Sequence, residues 1–347
     1  MKVAIIFLAM VLAAFTTNVS PGPATPSTPA ADRFTKVSDV VWASPKGFDL
    51  TMDIYTPNTG KKSYPVVVIF HGGGWLINTK SIMNEMATYL ANKSEYVVCN
   101  VNYRLLGDQG NTVTMNQIVE DAFGAVLWVK DNIAKYKGDA GKITVTGDSA
   151  GGHLATMVVV QGQNLESDGF AGNTLGFRPT YLPAGKTAEQ VAAANGLAVQ
   201  AGLISYGAFD LYASALGGFE KESNIFWGMG KAKARGIFGE GITPAANPAP
   251  YKQVSPIYVV PKAGERNLPP LFFSVGSKDD LTTPKSVEAF IGKLKEAGHT
   301  NLEYWVYEDR PHAFLDSGSN PYLKTSFQHD APEALDRMIA FLNKVFY

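Results

Sequence analysis

The chain has 347 residues, of which 46% are apolar and 18% charged, with 34 Gly, 20 Pro and one Cys. This length and apolar share allow one large buried core. Thirty basic against 31 acidic side chains leave a net charge of −1, so no broad positive field exists to hold nucleic acid or an anionic membrane surface. Cys99 cannot form an internal disulfide, and in the apolar run from Tyr96 to Val101 it reads as a buried structural thiol.

In chain order, Lys2 precedes the apolar stretch Val3 to Phe15, which is short of a membrane span and has the pattern of a secretory signal. Residues 1–20 are therefore expected to be a signal peptide. Residues 21–36, with Pro21, Pro23, Pro26 and Pro29, are expected to be an extended linker. The expected product is an exported protein, extracellular or periplasmic, with no membrane attachment after cleavage. The domain then runs from 37 to 347.

Val37 to Ala43 and Phe48 to Tyr55 alternate apolar with polar residues, as half-exposed strands at an antiparallel edge do. Pro65 to Phe70 and Tyr96 to Val101 are unbroken apolar runs, which suits strands covered by helices on both faces. Ser81 to Asn92 and Met115 to Tyr136 read as helices, the second with Ile118, Ala122, Ala125, Val126 and Val129 on one stripe. Lys142 to Thr146, Gly202 to Tyr206, Leu271 to Val275 and Leu302 to Tyr307 bring the strands to eight, and Ala331 to Phe346 closes the chain as a helix. The class is α/β with a mostly parallel sheet. Two segments, 161–195 and 211–268, break the alternation and are expected to be excursions above the sheet.

Gly147-Asp148-Ser149-Ala150-Gly151 fits G-x-S-x-G, directly after one predicted strand and before a helix-like run that includes His153. A sharp strand-to-helix turn would expose the serine hydroxyl and aim a helix N-terminus at any negative charge forming beside it. His71-Gly72-Gly73-Gly74-Trp75 follows another strand, and consecutive glycines let backbone N–H groups approach an oxygen that a Cβ would crowd. A serine needs a base, and the chain has five histidines. His71 and His153 belong to the two motifs, and His299 ends a helix at the other edge of the sheet. His312 follows the last strand on a loop at the carboxyl edge, and His329 is the alternative. After the seventh strand Asp279 and Asp280 are candidates to orient the imidazole, with the helix cap of 282–297 as the other role for Asp280. No H-E-x-x-H, no Cys/His cluster and no G-x-G-x-x-G after the first strand occur, so neither metal nor other cofactor is expected.

With its HGGGW at 71–75 and GDSAGG at 147–152, the chain resembles the hormone-sensitive-lipase-like branch of α/β-hydrolase esterases. Tyr103-Arg104-Leu105 and Glu120-Asp121 also match that family. It departs in Leu106-Gly107-Asp108, where the family has Ala-Pro-Glu, and in lacking a long cap helix before the first strand. The resemblance covers roughly 37–347 and implies the α/β-hydrolase fold and ester hydrolysis. By residue it implies Ser149 as nucleophile, His312 as base and Asp279 as its orienting acid, since Asp279-Asp280-Leu281 matches Asp-x-Leu. Gly73, Gly74 and Ala150 become oxyanion donors, with His71 and Asp148 in support.

The segment Phe48 to Pro57 resembles the entry strand of secreted esterases that deacylate plant polysaccharides. The expected substrate is a small ester or an acylated plant polysaccharide, acetyl xylan or feruloyl esters, with short acyl groups favoured. A general short-chain carboxylesterase is the alternative; more remote are a peptidase or amidase and a non-catalytic binding protein on the same fold. Nothing in the sequence sets the oligomeric state.

Overall fold

The unbroken apolar runs become the centre of an eight-stranded sheet in the computed structural model, which describes residues 33–172 and 174–347. The strands are β1 (Phe34–Ala43), β2 (Leu50–Pro57), β3 (Tyr64–Phe70), β4 (Val97–Val101), β5 (Gly138–Asp148), β6 (Ala201–Ser205), β7 (Leu271–Gly276) and β8 (Leu302–Tyr307). Their order is β1-β2-β4-β3-β5-β6-β7-β8, with β1, β2 and β4 joined antiparallel and the remainder parallel. Every residue of β3 and β4 is buried, whereas β1 at the edge is largely exposed. The expected signal segment and the linker up to residue 32 lie outside the described residues. The remaining linker boundary is corrected, because β1 already starts at Phe34, whose ring packs on Tyr55 at 5.4 Å.

Five long helices cover the sheet: α1 (Asn84–Lys93), α2 (Met115–Asn132), α3 (Ala150–Gln161), α4 (Pro284–Glu296) and α5 (Phe327–Phe346). α1 packs against α5, and α2 against α3. α5 begins four residues before the expected Ala331, so Pro332 lies inside it, where a proline has no N–H to give the Gln328 carbonyl. α2 opens with a capping box of Thr114 and Gln117.

The two insertions differ. The first runs along α2: Gly124 lies against the backbone of Thr180 and Tyr181, Phe123 meets Phe177 edge-on at 5.3 Å, and the Tyr181 hydroxyl bonds to Asp131. The second packs on the loops at the carboxyl ends of β3 and β4. Arg235 there donates to the carbonyls of Leu106, Asn111, Val113 and Gly236 at 2.6–2.9 Å, so its guanidinium holds backbone rather than facing a ligand.

Behind that loop Arg104 grips Asp121 of α2 through Nε (2.8 Å) and Nη2 (2.6 Å), both residues buried. Removing one partner of a buried pair leaves the other charge uncompensated. Asp121→Ala is therefore expected to cost about 3–5 kcal/mol and lower Tm by roughly 10 °C, measured by calorimetry. A change under about 2 °C would show that the pair is not what ties the loop to α2.

Candidate active site

Parallel pairing of β3 with β5 aligns Phe70 with Gly147, so the chain leaving β3 as His71 runs beside the chain leaving β5 as Ser149. The turn between β5 and α3 is tight enough to exclude side chains: a Cβ at Gly151 would stand 1.9 Å from the Phe70 carbonyl oxygen. Ser149 itself is held at φ 52°, ψ −116°, a strained conformation for a non-glycine residue. Its N–H donates to the Ser205 carbonyl (3.0 Å), and its own carbonyl accepts from His153 N–H (3.0 Å).

Across from it, Gly73 sits at φ +121° and its carbonyl accepts from the N–H groups of Leu76 and Ile77. The N–H groups of Gly73 and Gly74 donate to no group among the described residues. Ala150 opens α3, where the first amides of a helix have no intrahelical acceptor. The three expected donors thus belong to the two turns that follow β3 and β5, the neighbouring strands.

Two strands further along, the loops after β7 and β8 bring Asp279 and His312 together. His312 Nδ1 donates to Asp279 Oδ2 at 2.7 Å, with both residues buried. That bond puts the ring proton on Nδ1 and leaves Nε2 as the acceptor. The other carboxylate oxygen of Asp279 takes the N–H groups of Leu281 (2.9 Å) and Thr282 (2.8 Å).

Two further residues, not marked by the motifs, complete the frame. The Thr282 hydroxyl lies 3.1 Å from Asp279 Oδ2 and 2.9 Å from the Tyr206 carbonyl, and the Tyr206 ring meets His312 edge-on at 4.8 Å. Thr282 was within reach of the sequence as the third residue after Asp279; Tyr206 carried no such signal.

Asp280 is exposed and does not cap the helix: Thr283 does, accepting from Ser286 N–H. His329 is excluded from this site, since its side chain is 73% exposed and bonds Asp330. His299 bonds the Pro261 carbonyl at 2.7 Å. Buried His71 bonds Gly72 O through Nδ1 (2.8 Å) and stacks on Tyr103 at 4.3 Å; burial pushes its imidazole down to about 4, so it stays neutral. Among the described residues no group of three or more His, Cys, Asp or Glu could hold a metal ion.

The chain belongs to the BD-FAE family, whose profile matches residues 52–294. It is 27% identical over 287 residues to Esterase LipQ of Mycobacterium tuberculosis, covering 80% of this chain and 57% of that protein. It is 32% identical over 110 residues to Carboxylesterase NlhH of the same species, covering 32% of this chain and 33% of that one. The chain thus spans between a third and somewhat over half of these relatives. Among solved structures, esterase 2 of Thermogutta terrifontis with butyrate bound superposes with a TM-score of 0.62 at 21% identity, covering 89% of this chain and 94% of that one. The fold is that of the α/β hydrolases.

Asp148 is the unusual charge here. It is buried with Oδ1 lacking a hydrogen-bond partner, and burial pushes its carboxyl up to about 6, opposed by the nearby His312 and by the N–H of Gly72. A carboxyl raised in the folded state binds its proton more tightly there, so its contribution to stability is greatest below the unfolded value near 3.8 and is lost as pH rises through about 6. Asp148→Asn removes this dependence. Its stability relative to wild type is expected to improve as pH rises from about 4.5 to about 8, read from urea melts. No improvement over that range would mean that Asp148 is compensated in the fold.

Proposed function

We propose that this protein is a serine carboxylic-ester hydrolase in which Ser149, His312 and Asp279 form the catalytic triad. The observation that carries the reading is the buried Asp279–His312 bond at the same sheet edge as the strained Ser149 turn and the undonated N–H groups of Gly73 and Gly74. In this reading Ser149 Oγ attacks the ester carbonyl carbon as His312 Nε2 takes its proton. The carbonyl oxygen becomes an oxyanion held by Gly73, Gly74 and Ala150 N–H groups. The tetrahedral intermediate collapses, His312 returns the proton to the departing alcohol, and an acyl-Ser149 remains. Water then attacks that acyl group through the same base and releases the acid. Asp279 holds the imidazole tautomer and offsets the charge of the imidazolium. The esterase and carboxylesterase relatives support this reading.

The acyl group in this proposal is short. Phe226, from the second insertion, lies against the oxyanion loop so closely that a Cβ on Gly74 would stand 3.0 Å from its ring. The neighbouring fold with butyrate bound supports the same size. For the alcohol side we propose a plant polysaccharide, with acetyl xylan as the acylated form that fits this acyl size, reached by export through the signal-like segment before residue 20. A general short-chain carboxylesterase has one observation in its favour: Arg235, an arginine among the aromatics of the second insertion, is bonded to backbone carbonyls and offers nothing to a sugar.

Ser149→Ala is expected to keep its fold and lose at least ~10³ of turnover on 4-nitrophenyl acetate, and Asp279→Asn to lose far more than Asp280→Asn. Retained activity in the serine variant would sink the mechanism. On an acyl series, rates should peak at or below about four carbons. Acetate release from acetylated xylan separates the two alcohol readings: a rate no higher than that of a generic short-chain esterase favours the second.

A further inference from the structure

Trp75 follows the glycines of the oxyanion loop, and its indole N–H donates to His153 Nδ1 at 3.2 Å, the rings meeting edge-on at 5.2 Å. An indole N–H can only donate, so Nδ1 must be bare and the ring proton must sit on Nε2. Nε2 in turn donates to the Val254 carbonyl at 2.8 Å. His153 is fully buried and Trp75 nearly so, and burial pushes the imidazole down to about 4, which keeps this tautomer at neutral pH. One side chain on α3 therefore ties together the loop after β3, the helix that begins beside Ser149, and the second insertion. On its other side Trp75 meets Phe219 of that insertion edge-on at 5.7 Å.

Three successive glycines restrain their own backbone poorly, so the loop depends on what grips its end. Backbone bonds contribute Leu76 N–H and Ile77 N–H to the Gly73 carbonyl, and Leu106 N–H to the Trp75 carbonyl. The only side-chain anchor on Trp75 that is polar and directional, among the described residues, is His153. An apolar residue of similar volume would fill the space and leave the indole N–H and the Val254 carbonyl buried without partners.

We infer that His153 is a positioning residue: through Trp75 it holds the Gly73 and Gly74 N–H groups where the ester oxygen gathers charge, and it couples that geometry to the second insertion. This inference rests on the reading of Ser149 as the nucleophile. Because the donors act on the transition state, a loosened brace should lower kcat and leave KM nearly unchanged.

The test combines kinetics and NMR on the full chain. His153→Leu is expected to lower kcat on 4-nitrophenyl acetate about 10- to 100-fold with KM within about threefold, and His153→Gln, which keeps an acceptor and a donor, to recover at least about fivefold of that loss. Trp75→Phe combined with His153→Leu should be no worse than His153→Leu alone, since both cut one link. The indole resonance that vanishes in Trp75→Phe should exchange slowly in wild type and in Ser149→Ala, and shift in His153→Gln. Should the Leu variant fail to fold, the Gln variant and this resonance carry the test. An unaltered kcat in His153→Leu, or a fast-exchanging indole unmoved by His153→Gln, overturns the brace. A wild type without esterase activity but with a protected, His153-sensitive indole contradicts the activity reading and supports the brace.

Discussion

The contact between Gly151 and the carbonyl of Phe70 sets the rest of the molecule. A Cβ there has no room, so α3 can begin hard against the end of β3 only with glycine at that position. The Ser149 turn and the glycine loop become neighbours as a result, because β3 and β5 are adjacent and in register at Phe70 and Gly147. β6, β7 and β8 continue in parallel from there, so the loops bearing Tyr206, Asp279 and His312 leave the sheet at the same edge. Residues far apart in sequence meet because consecutive parallel strands all deliver their carboxyl ends to one side.

The side chains at this edge are buried, and polar groups survive there by being tied to backbone. His71 bonds Gly72, His153 bonds Val254, and Asp279 takes two amides besides His312. Each tie fixes a tautomer or a carboxylate orientation, so a reaction at this edge would meet a preset geometry instead of reorganising one. Asp148 is the exception, with one oxygen unpartnered beside His312. The second insertion belongs to the same frame. Arg235 bonds four backbone carbonyls, three of them outside the insertion, and Trp227 is buried with its indole on the Phe219 carbonyl, so this segment is fastened down rather than hinged.

Much of this was legible. The strands are recognisable because those buried on both faces, β3 and β4, are unbroken apolar runs, and the two glycine motifs mark where backbone must come close. His312 and Asp279 could be placed because each follows a strand at the carboxyl edge, and the structure joins them. What escaped depends on contacts between segments remote in sequence. His153 looks like a passenger on a helix until Trp75 and Val254 arrive from 78 residues upstream and 101 downstream. Asp280 looked like a cap, but Thr283 stands closer to the first turn of α4. The start of β1 at Phe34 was hidden because an edge strand needs few apolar residues, and a linker rich in Pro and Thr ran up to it.

In the function proposed here Ser149 is the activated nucleophile. Its most direct test is reaction with an organophosphate ester such as paraoxon, followed by intact mass and peptide mapping. One phosphoryl group per chain is expected, on the peptide holding Ser149, with loss of ester hydrolysis in proportion to labelling. Labelling at any other residue, or full hydrolysis by a protein phosphorylated at Ser149, would contradict the account.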